Sequence, residues 1–201
     1  MVERQSSRKI VIVDLDGTLI KGNSLHLFIR VALKHANCTK KMRMASWLVL
    51  RRLRIVSHRK MKFSILSLIR PTENIKRDFQ FKFKEKIRPE VTKLLDTYKK
   101  EGKTIILATA APDVYIPWIW DGKHVATKTQ NNPHKEECRG NAKLKAINNL
   151  LQSNELFEAV ITDHFDDIPL LKAGANRNIL VEPSEVTIKK IEKLNLPYEL
   201  L

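Results

Sequence analysis

The sequence is poor in cysteine and in long apolar segments. Only Cys38 and Cys138 occur among 201 residues, which excludes a disulfide-stabilised scaffold and favours a reducing compartment. The longest uncharged apolar run of the basic region, 44–50, is far shorter than the roughly 20 residues that a membrane-spanning helix needs. The charged residues 1–9 predict no secretory leader, and repeats and low-complexity tracts are lacking. We therefore expect a cytoplasmic globular protein.

Acidic residues are scarce in one part of the chain. Residues 21–100 contain 22 Lys and Arg against 5 Asp and Glu, a net charge of +17, whereas the remaining residues contain 15 basic and 17 acidic residues, a net charge of −2. The basic excess belongs to this segment, which marks a boundary in the chain. Such a segment is either a set of solvated helix faces or a positive field for an anionic substrate, an anionic membrane surface or nucleic acid.

The basic segment has the periodicity of helices. Apolar residues recur every three to four positions along most of it, as on one face of a helix. Around Phe79 the apolar residues alternate as in a strand and also recur every four residues, and we favour the helix. Ser24 is a suitable N-cap for the first helix, whereas Pro89 and Gly102 suit the two ends of the last. Helices are therefore predicted over residues 24–36, 44–48, 61–68, 75–87 and 89–101.

Short apolar runs rich in β-branched residues occupy the rest of the chain and alternate with helical stretches. Such runs are typical of the buried strands of a parallel sheet. They predict an α/β fold with a doubly wound, Rossmann-like sheet, in which ligands bind beyond the carboxyl ends of the strands. The predicted strands are 10–13, 104–108, 158–161 and 178–181.

Two carboxylates directly follow the first predicted strand. They lie in the segment Asp14-Leu15-Asp16-Gly17-Thr18. A carboxylate held in line with a phosphorus atom can form an aspartyl phosphate, which divides hydrolysis into two easier steps. A second carboxyl two residues later can protonate the leaving oxygen and then activate water. The simpler alternative is an acidic turn that closes the strand.

Polar residues also follow the second and third predicted strands. The hydroxyl of Thr109 suits an anion, although threonine is also common in turns, and Pro112 could begin a helix whose free N–H groups bind an anion. Three carboxylates at the end of the third strand suit Mg²⁺, although they could also cap the following helix. These acids are Asp163, Asp166 and Asp167.

Residues 11–20, Val-Ile-Val-Asp-Leu-Asp-Gly-Thr-Leu-Ile, resemble the first motif of the haloacid dehalogenase-like hydrolase superfamily. The resemblance implies a Rossmann-like core, formed by residues 1–20 and 102–201, with a helical cap inserted at 21–101. The cysteine-glycine-lysine form of the third motif is similar to the branch that includes phosphoserine phosphatase. Segments that resemble the second, third and fourth motifs follow in the family's order at 105–110, 138–143 and 161–170.

The resemblance implies a phosphatase that requires Mg²⁺ and gives each matched residue a role. Asp14 would be the nucleophile, and Asp16 would be the general acid and base. The phosphoryl group would be bound by Thr109, Ala110 and Lys143. The metal ligands would be Asp14, the backbone carbonyl of Asp16, Asp163 and Asp167. Asp166 is left as an additional acid, and His164 is expected to be a loop residue because magnesium prefers oxygen ligands.

One departure from the phosphoserine phosphatase branch concerns the substrate. That branch has a glutamate nine residues after the nucleophile, which holds the substrate ammonium, whereas this chain has the neutral Asn23. Asn23 is therefore the candidate substrate residue of the cap, and a small-molecule or lipid-linked phosphate ester is expected rather than phosphoserine. Trp47 and its neighbouring leucines, beside Arg51 and Arg52, suit either a helix at an anionic membrane surface or a core face with a basic exterior.

Two other functions stay open at this point. A phosphotransferase or mutase shares all four motifs and differs only in the molecule that accepts the phosphoryl group. A basic module that binds nucleic acid or a membrane surface would carry a vestigial site. The complete set of motif residues speaks against nucleic-acid binding, and peripheral attachment of a cytoplasmic enzyme to a membrane surface stays open.

Overall fold

A computed structural model describes residues 8–151 and 155–201. Its strands are β1 (Arg8–Val13), β2 (Thr104–Pro112), β3 (His124–Thr127), β4 (Glu155–Thr162), β5 (Arg177–Leu180) and β6 (Glu199–Leu200). In this part of the chain they form one sheet in the order β3-β2-β1-β4-β5-β6, and every neighbouring pair is parallel. The structure confirms the predicted α/β class and the Rossmann-like sheet.

Helices cover both faces of the sheet. They are α1 (Ser24–His35), α2 (Cys38–Arg52), α3 (His58–Leu66), α4 (Glu73–Lys84), α5 (Pro89–Lys100), α6 (Ile116–Ile119), α7 (Asn141–Leu150), α8 (Ile168–Leu171) and α9 (Glu185–Glu192). All five predicted helices are present, including the ambiguous one around Phe79. None of the helices in the described ranges is both long enough and apolar enough to cross a bilayer. Both cysteines are free thiols.

Two local predictions are wrong, and two short strands were not predicted. The N-cap of α1 is Asn23 rather than Ser24, because the Asn23 side chain accepts a hydrogen bond from the His26 amide. Pro112 ends β2 instead of beginning a helix. The short strands β3 and β6 went unpredicted: β3 has four residues of mixed polarity, and β6 has two exposed residues at the sheet edge.

Alternate residues of the strands enter two separate cores, as the two-residue period of a strand requires. Val11 and Val13 point into a core that contains buried side chains of α1, α3, α4 and α5. Ile10 and Ile12 point into a second core, on the other face, with buried side chains of α7, α8 and α9. The central strands are therefore buried on both faces, which explains their continuous apolar runs.

Three aromatic rings join the helices that follow β1 to the rest of the fold. Phe28 of α1 and Phe79 of α4 lie 4.8 and 4.9 Å, between ring centroids, from Tyr115, which precedes α6. The two phenylalanine rings pack edge to face at 5.5 Å. All three side chains are fully buried, so this cluster holds α1 and α4 in place above the sheet.

The aromatic cluster gives a stability prediction. Phe79→Ala should lower the free energy of unfolding by about 3–5 kcal/mol, because it removes a fully buried ring and leaves a cavity. Phe81→Ala is the matched control: Phe81 lies on the same helix with 62% of its surface exposed, and its loss should change stability by only about 0.5 kcal/mol. Urea unfolding of the two variants measures the difference, and equal losses would contradict the packing described.

The chain leaves the sheet for α1–α4 and returns at a single place. Ile20 and Ile87 form an antiparallel bridge, and the Lys21 amide donates to the Lys86 carbonyl at 2.8 Å. Arg88 is buried here, and its guanidinium contacts Glu182, beyond β5, at 2.5 Å. The next helix, α5, packs against β2. The division into a core (1–20 and 102–201) and a cap (21–101) stays a prediction.

Candidate active site

The predicted site residues meet at the carboxyl ends of β1 and β4. These strands are neighbours at the point where the strand order reverses, which is where open α/β sheets bind ligands. Asp14 directly follows β1, and Asp163 directly follows β4. A pocket of about 250 Å³ lies here. The eight predicted site residues all line it: Asp14, Asp16, Asn23, Thr109, Ala110, Lys143, Asp163 and Asp167.

Lys143 connects two of the carboxylates in this pocket. It lies in the first turn of α7 with only 4% of its surface exposed. Its Nζ donates to Asp14 Oδ1 at 2.9 Å and to Asp167 Oδ2 at 2.9 Å, and it lies 2.7 Å from Asp167 Oδ1. Thr162 Oγ1 donates a further hydrogen bond to Asp167 Oδ2. Asp167 Oδ2 is therefore hydrogen-bonded twice, whereas the buried Oδ1 lies beside the lysine charge but has no hydrogen-bond donor among the described residues.

Burial and the neighbouring charges shift the pKa values of Asp14 and Lys143. It raises the pKa of Asp14 to about 8, against the opposing effect of the Lys143 charge, and the neighbouring Asp167 adds to the rise. For Lys143, burial alone would lower the pKa, but the charges of Asp14 and Asp167 raise it above its ordinary value. The lysine therefore keeps its charge, whereas burial disfavours the charged form of Asp14.

Asp16 is held by the first residues of α1. Its Oδ1 accepts a hydrogen bond from the Ser24 amide at 2.6 Å, and its Oδ2 accepts one from Asn23 Nδ2 at 3.3 Å. Burial raises the pKa of Asp16, although the hydrogen bonds of Ser24 oppose the rise. A carboxyl with a raised pKa is suited to exchange protons. Asn23 lines the pocket as predicted, but it also caps α1 and orients Asp16.

Asp163 lies against the loop that carries Asp14 and Asp16. Its Oδ1 accepts a hydrogen bond from Thr18 Oγ1 at 3.1 Å, and burial raises its pKa. Gly17 has a φ of +83°, and a Cβ there would lie 2.2 Å from Asp163 Oδ2. Glycine is therefore required at this position both for the backbone conformation and for the approach of the Asp163 carboxylate.

Thr109 and Ala110 form the end of β2 beside the pocket. The Thr109 hydroxyl is buried and accepts a hydrogen bond from the Ala111 amide at 3.0 Å. The Ala110 carbonyl accepts from Thr127 Oγ1 and from Lys62 Nζ, both at 2.7 Å. The backbone at the end of β2 is thus fixed from two sides.

Lys62 is a pocket residue that the sequence analysis missed. It belongs to α3, is 2% exposed, and forms an ion pair with Glu137 at 2.7 Å. A lysine between the apolar residues Met61 and Phe63 was the available signal, but most bases of this segment are exposed and nothing in the periodicity separates Lys62 from them. His58, one helical turn earlier, also lines the pocket.

Asp166 and His164, which were not predicted to be metal ligands, form a separate group. Asp166 forms an ion pair with Arg139, and His164 Nδ1 accepts a hydrogen bond from the Asp166 amide. The imidazole therefore caps the short 3₁₀ turn 165–167, as a loop residue would. All three side chains line the pocket, but none of them forms a hydrogen bond or ion pair with Asp14 or Lys143 in the described part of the chain.

The oxygen atoms of the pocket fit Mg²⁺ in kind and number. Magnesium is usually held by one or two carboxylates together with water and substrate phosphate, and Asp14 and Asp163 supply two carboxylates. Among the described residues, no three His, Cys, Asp or Glu side chains come together as a complete ligand cluster. Lys143 bonds to Asp14 and to Asp167 alike, so its contacts do not separate Asp163 from Asp167 as a ligand. Burial, and to a smaller extent the charges of Asp167 and Asp163, raises the pKa of Asp14, and a bound cation would favour the charged form of this carboxylate.

A larger cavity lies elsewhere. It measures about 490 Å³, is bounded by β3 and α7, and contains none of the eight predicted site residues. Cys138 reaches it, but burial raises the pKa of this thiol to about 11. The thiol therefore stays protonated near neutral pH and is a poor nucleophile.

Solved structures resemble the fold over almost the whole chain. A protein of unknown function from Bordetella pertussis has a TM-score of 0.76 at 16% identity and covers 97% of this chain and 98% of its own. A phosphoserine phosphohydrolase-like protein from Francisella tularensis has a TM-score of 0.55 at 22% identity, covering 96% and 94%. A phosphoserine phosphatase has a TM-score of 0.50 at 13% identity, covering 96% and 92%. At these identities the likeness concerns the fold.

The sequence itself matches one family. No curated protein matches it, but the family model of haloacid dehalogenase-like hydrolases matches residues 11–172. This range includes all eight predicted site residues and runs from β1 to the residue after α8. The chain therefore belongs to the haloacid dehalogenase-like hydrolase family.

Proposed function

We propose that this protein is a Mg²⁺-dependent phosphatase that hydrolyses a phosphate monoester through an aspartyl phosphate on Asp14. The observation that carries the proposal is the buried Lys143, whose Nζ lies 2.9 Å from Asp14 Oδ1 and is fixed from behind by Asp167. A cation held beside a nucleophilic carboxylate is placed to neutralise phosphoryl oxygens as they approach. The solved structure of a phosphoserine phosphatase with a similar fold represents an analogue of its phospho-aspartyl intermediate, which supports the same chemistry here.

The side chains divide the reaction into two steps. Asp14 attacks phosphorus, and the bond from phosphorus to the ester oxygen breaks. Asp16 gives that oxygen its proton, so an alcohol leaves. Asp16, now a carboxylate, takes a proton from water, which attacks the aspartyl phosphate and releases inorganic phosphate. The hydrogen bonds from Ser24 and Asn23 hold Asp16 in position for both transfers.

The remaining pocket residues bind and orient. Thr109 and Ala110, which line the pocket near the end of β2, would bind the phosphoryl group together with Lys143. Asp14, Asp163, Asp167 and the backbone carbonyl of Asp16 would hold Mg²⁺. When bound, Mg²⁺ would offset the charge of the phosphoryl oxygens and orient them for in-line attack. The pocket of about 250 Å³, with the neutral Asn23 at its edge, favours a small phosphate group whose ester portion extends outward.

Metal dependence tests the proposal. Phosphate release from a panel of phosphate esters should stop with a chelator and return with added Mg²⁺. Asp163→Asn should raise the Mg²⁺ concentration for half-maximal activity by about tenfold or more, because it removes one of the carboxylate ligands. Asp121→Asn, at an exposed aspartate outside the pocket, is the control and should change nothing.

The same assay separates hydrolysis from transfer. Inorganic phosphate should appear in step with the alcohol, without an added acceptor. Alcohol release that needs an added sugar phosphate would show a phosphotransferase instead. Turnover that is unaffected by the chelator, or an Asp163→Asn variant with unchanged Mg²⁺ dependence, would contradict the assignment of the metal.

A further inference from the structure

The outward side of α2 carries an unpaired apolar stripe. Within α2 only Met44 is buried. Met42, Val49 and Leu53 are 68%, 55% and 63% exposed, and their spacing of seven and four residues places them on one side of the helix, away from Met44. Ile55, in the turn to α3, is 65% exposed. These four side chains form what we call the α2 stripe.

The apolar face that the sequence suggested for a membrane is a different one. Trp47, Leu48 and Leu50 pack against the core between the sheet and α1–α5. They therefore hold α2 against the protein and are not available to a partner. The α2 stripe is what remains on the opposite side.

The Asp, Glu, Lys and Arg positions of the segment that carries the α2 stripe are all basic. Residues 38–60 contain eight Lys and Arg and no Asp or Glu. Seven of the eight are exposed, and none of the eight lies within 4.0 Å of an acidic side chain in the described part of the chain. The bases are Lys40, Lys41, Arg43, Arg51, Arg52, Arg54, Arg59 and Lys60.

We propose that the α2 stripe and its flanking bases dock the protein onto an anionic lipid bilayer. Apolar side chains on one side of a helix enter the boundary between headgroups and acyl chains, while flanking Lys and Arg contact anionic headgroups. A nucleic acid would match the bases but would leave the four apolar side chains in water. The combination of both features, with no acid in 38–60, is what selects the bilayer.

The docking surface is next to the pocket. Ile55 is followed by α3, whose His58 and Lys62 line the pocket. Docking through the α2 stripe would therefore bring the pocket entrance close to the lipid headgroups. The docking surface does not rest on the proposed phosphatase activity, since it uses none of the residues that would carry the reaction.

Vesicle flotation with the full chain tests the docking surface separately from catalysis. Vesicles of phosphatidylcholine with about one third phosphatidylglycerol should bind the protein, whereas pure phosphatidylcholine should bind it at least about tenfold more weakly. Val49→Ser/Leu53→Ser should weaken binding to the anionic vesicles by about tenfold or more. Phe81→Ser/Val186→Ser is the matched control, because both side chains are exposed elsewhere, and should bind like wild type.

Each other outcome would overturn the proposal. These outcomes are no binding to anionic vesicles, equal binding to neutral ones, or binding that is indifferent to Val49→Ser/Leu53→Ser. Tight binding to duplex DNA without vesicle binding would identify nucleic acid as the partner. A dimer that Val49→Ser/Leu53→Ser dissociates, again without vesicle binding, would identify a second copy. Thermal unfolding of both double variants should match wild type, since the substituted side chains are exposed.

Discussion

Asp14→Asn should lower the rate of phosphate release by at least about a thousandfold without lowering the stability of the protein. The amide cannot form an aspartyl phosphate, so the first step is lost. The substitution also removes a carboxylate whose pKa is raised by burial and by the nearby Asp167 and Asp163 charges. Lys143 keeps Asp167 as its charged partner in this variant, so the melting temperature should equal or exceed that of wild type. The rate constant kcat and the melting temperature are the two measurements.

The two measurements together separate a chemical role from a structural one. A variant that loses activity because it misfolds would also melt earlier, whereas loss of the nucleophile leaves melting unchanged or raised. Asp121→Asn, at an exposed position, again serves as the control. Full activity of Asp14→Asn would rule out the aspartyl phosphate mechanism.

Lys143→Met is expected to damage both stability and catalysis. It leaves the buried carboxylates of Asp14 and Asp167 without their cation, and the loss of one partner from a buried ion pair costs about 3–5 kcal/mol. Activity should fall at least about a hundredfold, because the charge opposite the phosphoryl oxygens is gone. Lys145→Met, at an exposed lysine of the same helix, should be neutral in both assays.

The stability of Lys143→Met should also depend on pH in a defined direction. Without the lysine charge, which lowers the pKa of Asp14 in wild type, this pKa rises further in the folded state. The folded variant then binds a proton that the unfolded chain, with an ordinary Asp pKa of 3.8, does not bind near neutrality. Its stability therefore falls as the pH rises above about 4 and recovers on acidification.

A second substitution checks this cause. Lys143→Met/Asp167→Asn should regain part of the lost stability, since one of the two unpaired carboxylates is removed, and should stay inactive. Urea unfolding at pH 7 and pH 5 gives both quantities. If Lys143→Met alone were as stable as wild type at pH 7, the lysine would not compensate the charges of Asp14 and Asp167.

The parts of the fold that follow from backbone pattern could be predicted from the sequence. The four buried strands have continuous apolar runs because both faces are covered, and the carboxyl ends of parallel strands lie at one edge of the sheet. The positions of Asp14 and Asp163 followed from that rule alone. The edge strands β3 and β6 could not be predicted, because short strands that are partly or fully exposed lack a continuous apolar run.

Contacts between distant side chains could not be predicted. Lys62 reaches the Ala110 carbonyl and Glu137 only because α3 packs over the end of β2, and no local pattern distinguishes it from its basic neighbours. Likewise, Asn23 was assigned to the substrate from its place in a motif. Its bond to Asp16 depends on the direction in which α1 leaves the loop, which is set by packing.

The pairing of Ile20 with Ile87 has an evolutionary consequence for the predicted cap. The chain leaves the sheet and returns to it through adjacent, hydrogen-bonded positions. The two ends of any segment placed between them therefore lie side by side. The strands on either side keep their register whatever length of chain lies between. Related enzymes could thus acquire, lose or exchange this module, and with it their substrate range, while Asp14, Lys143 and Asp163 keep their places.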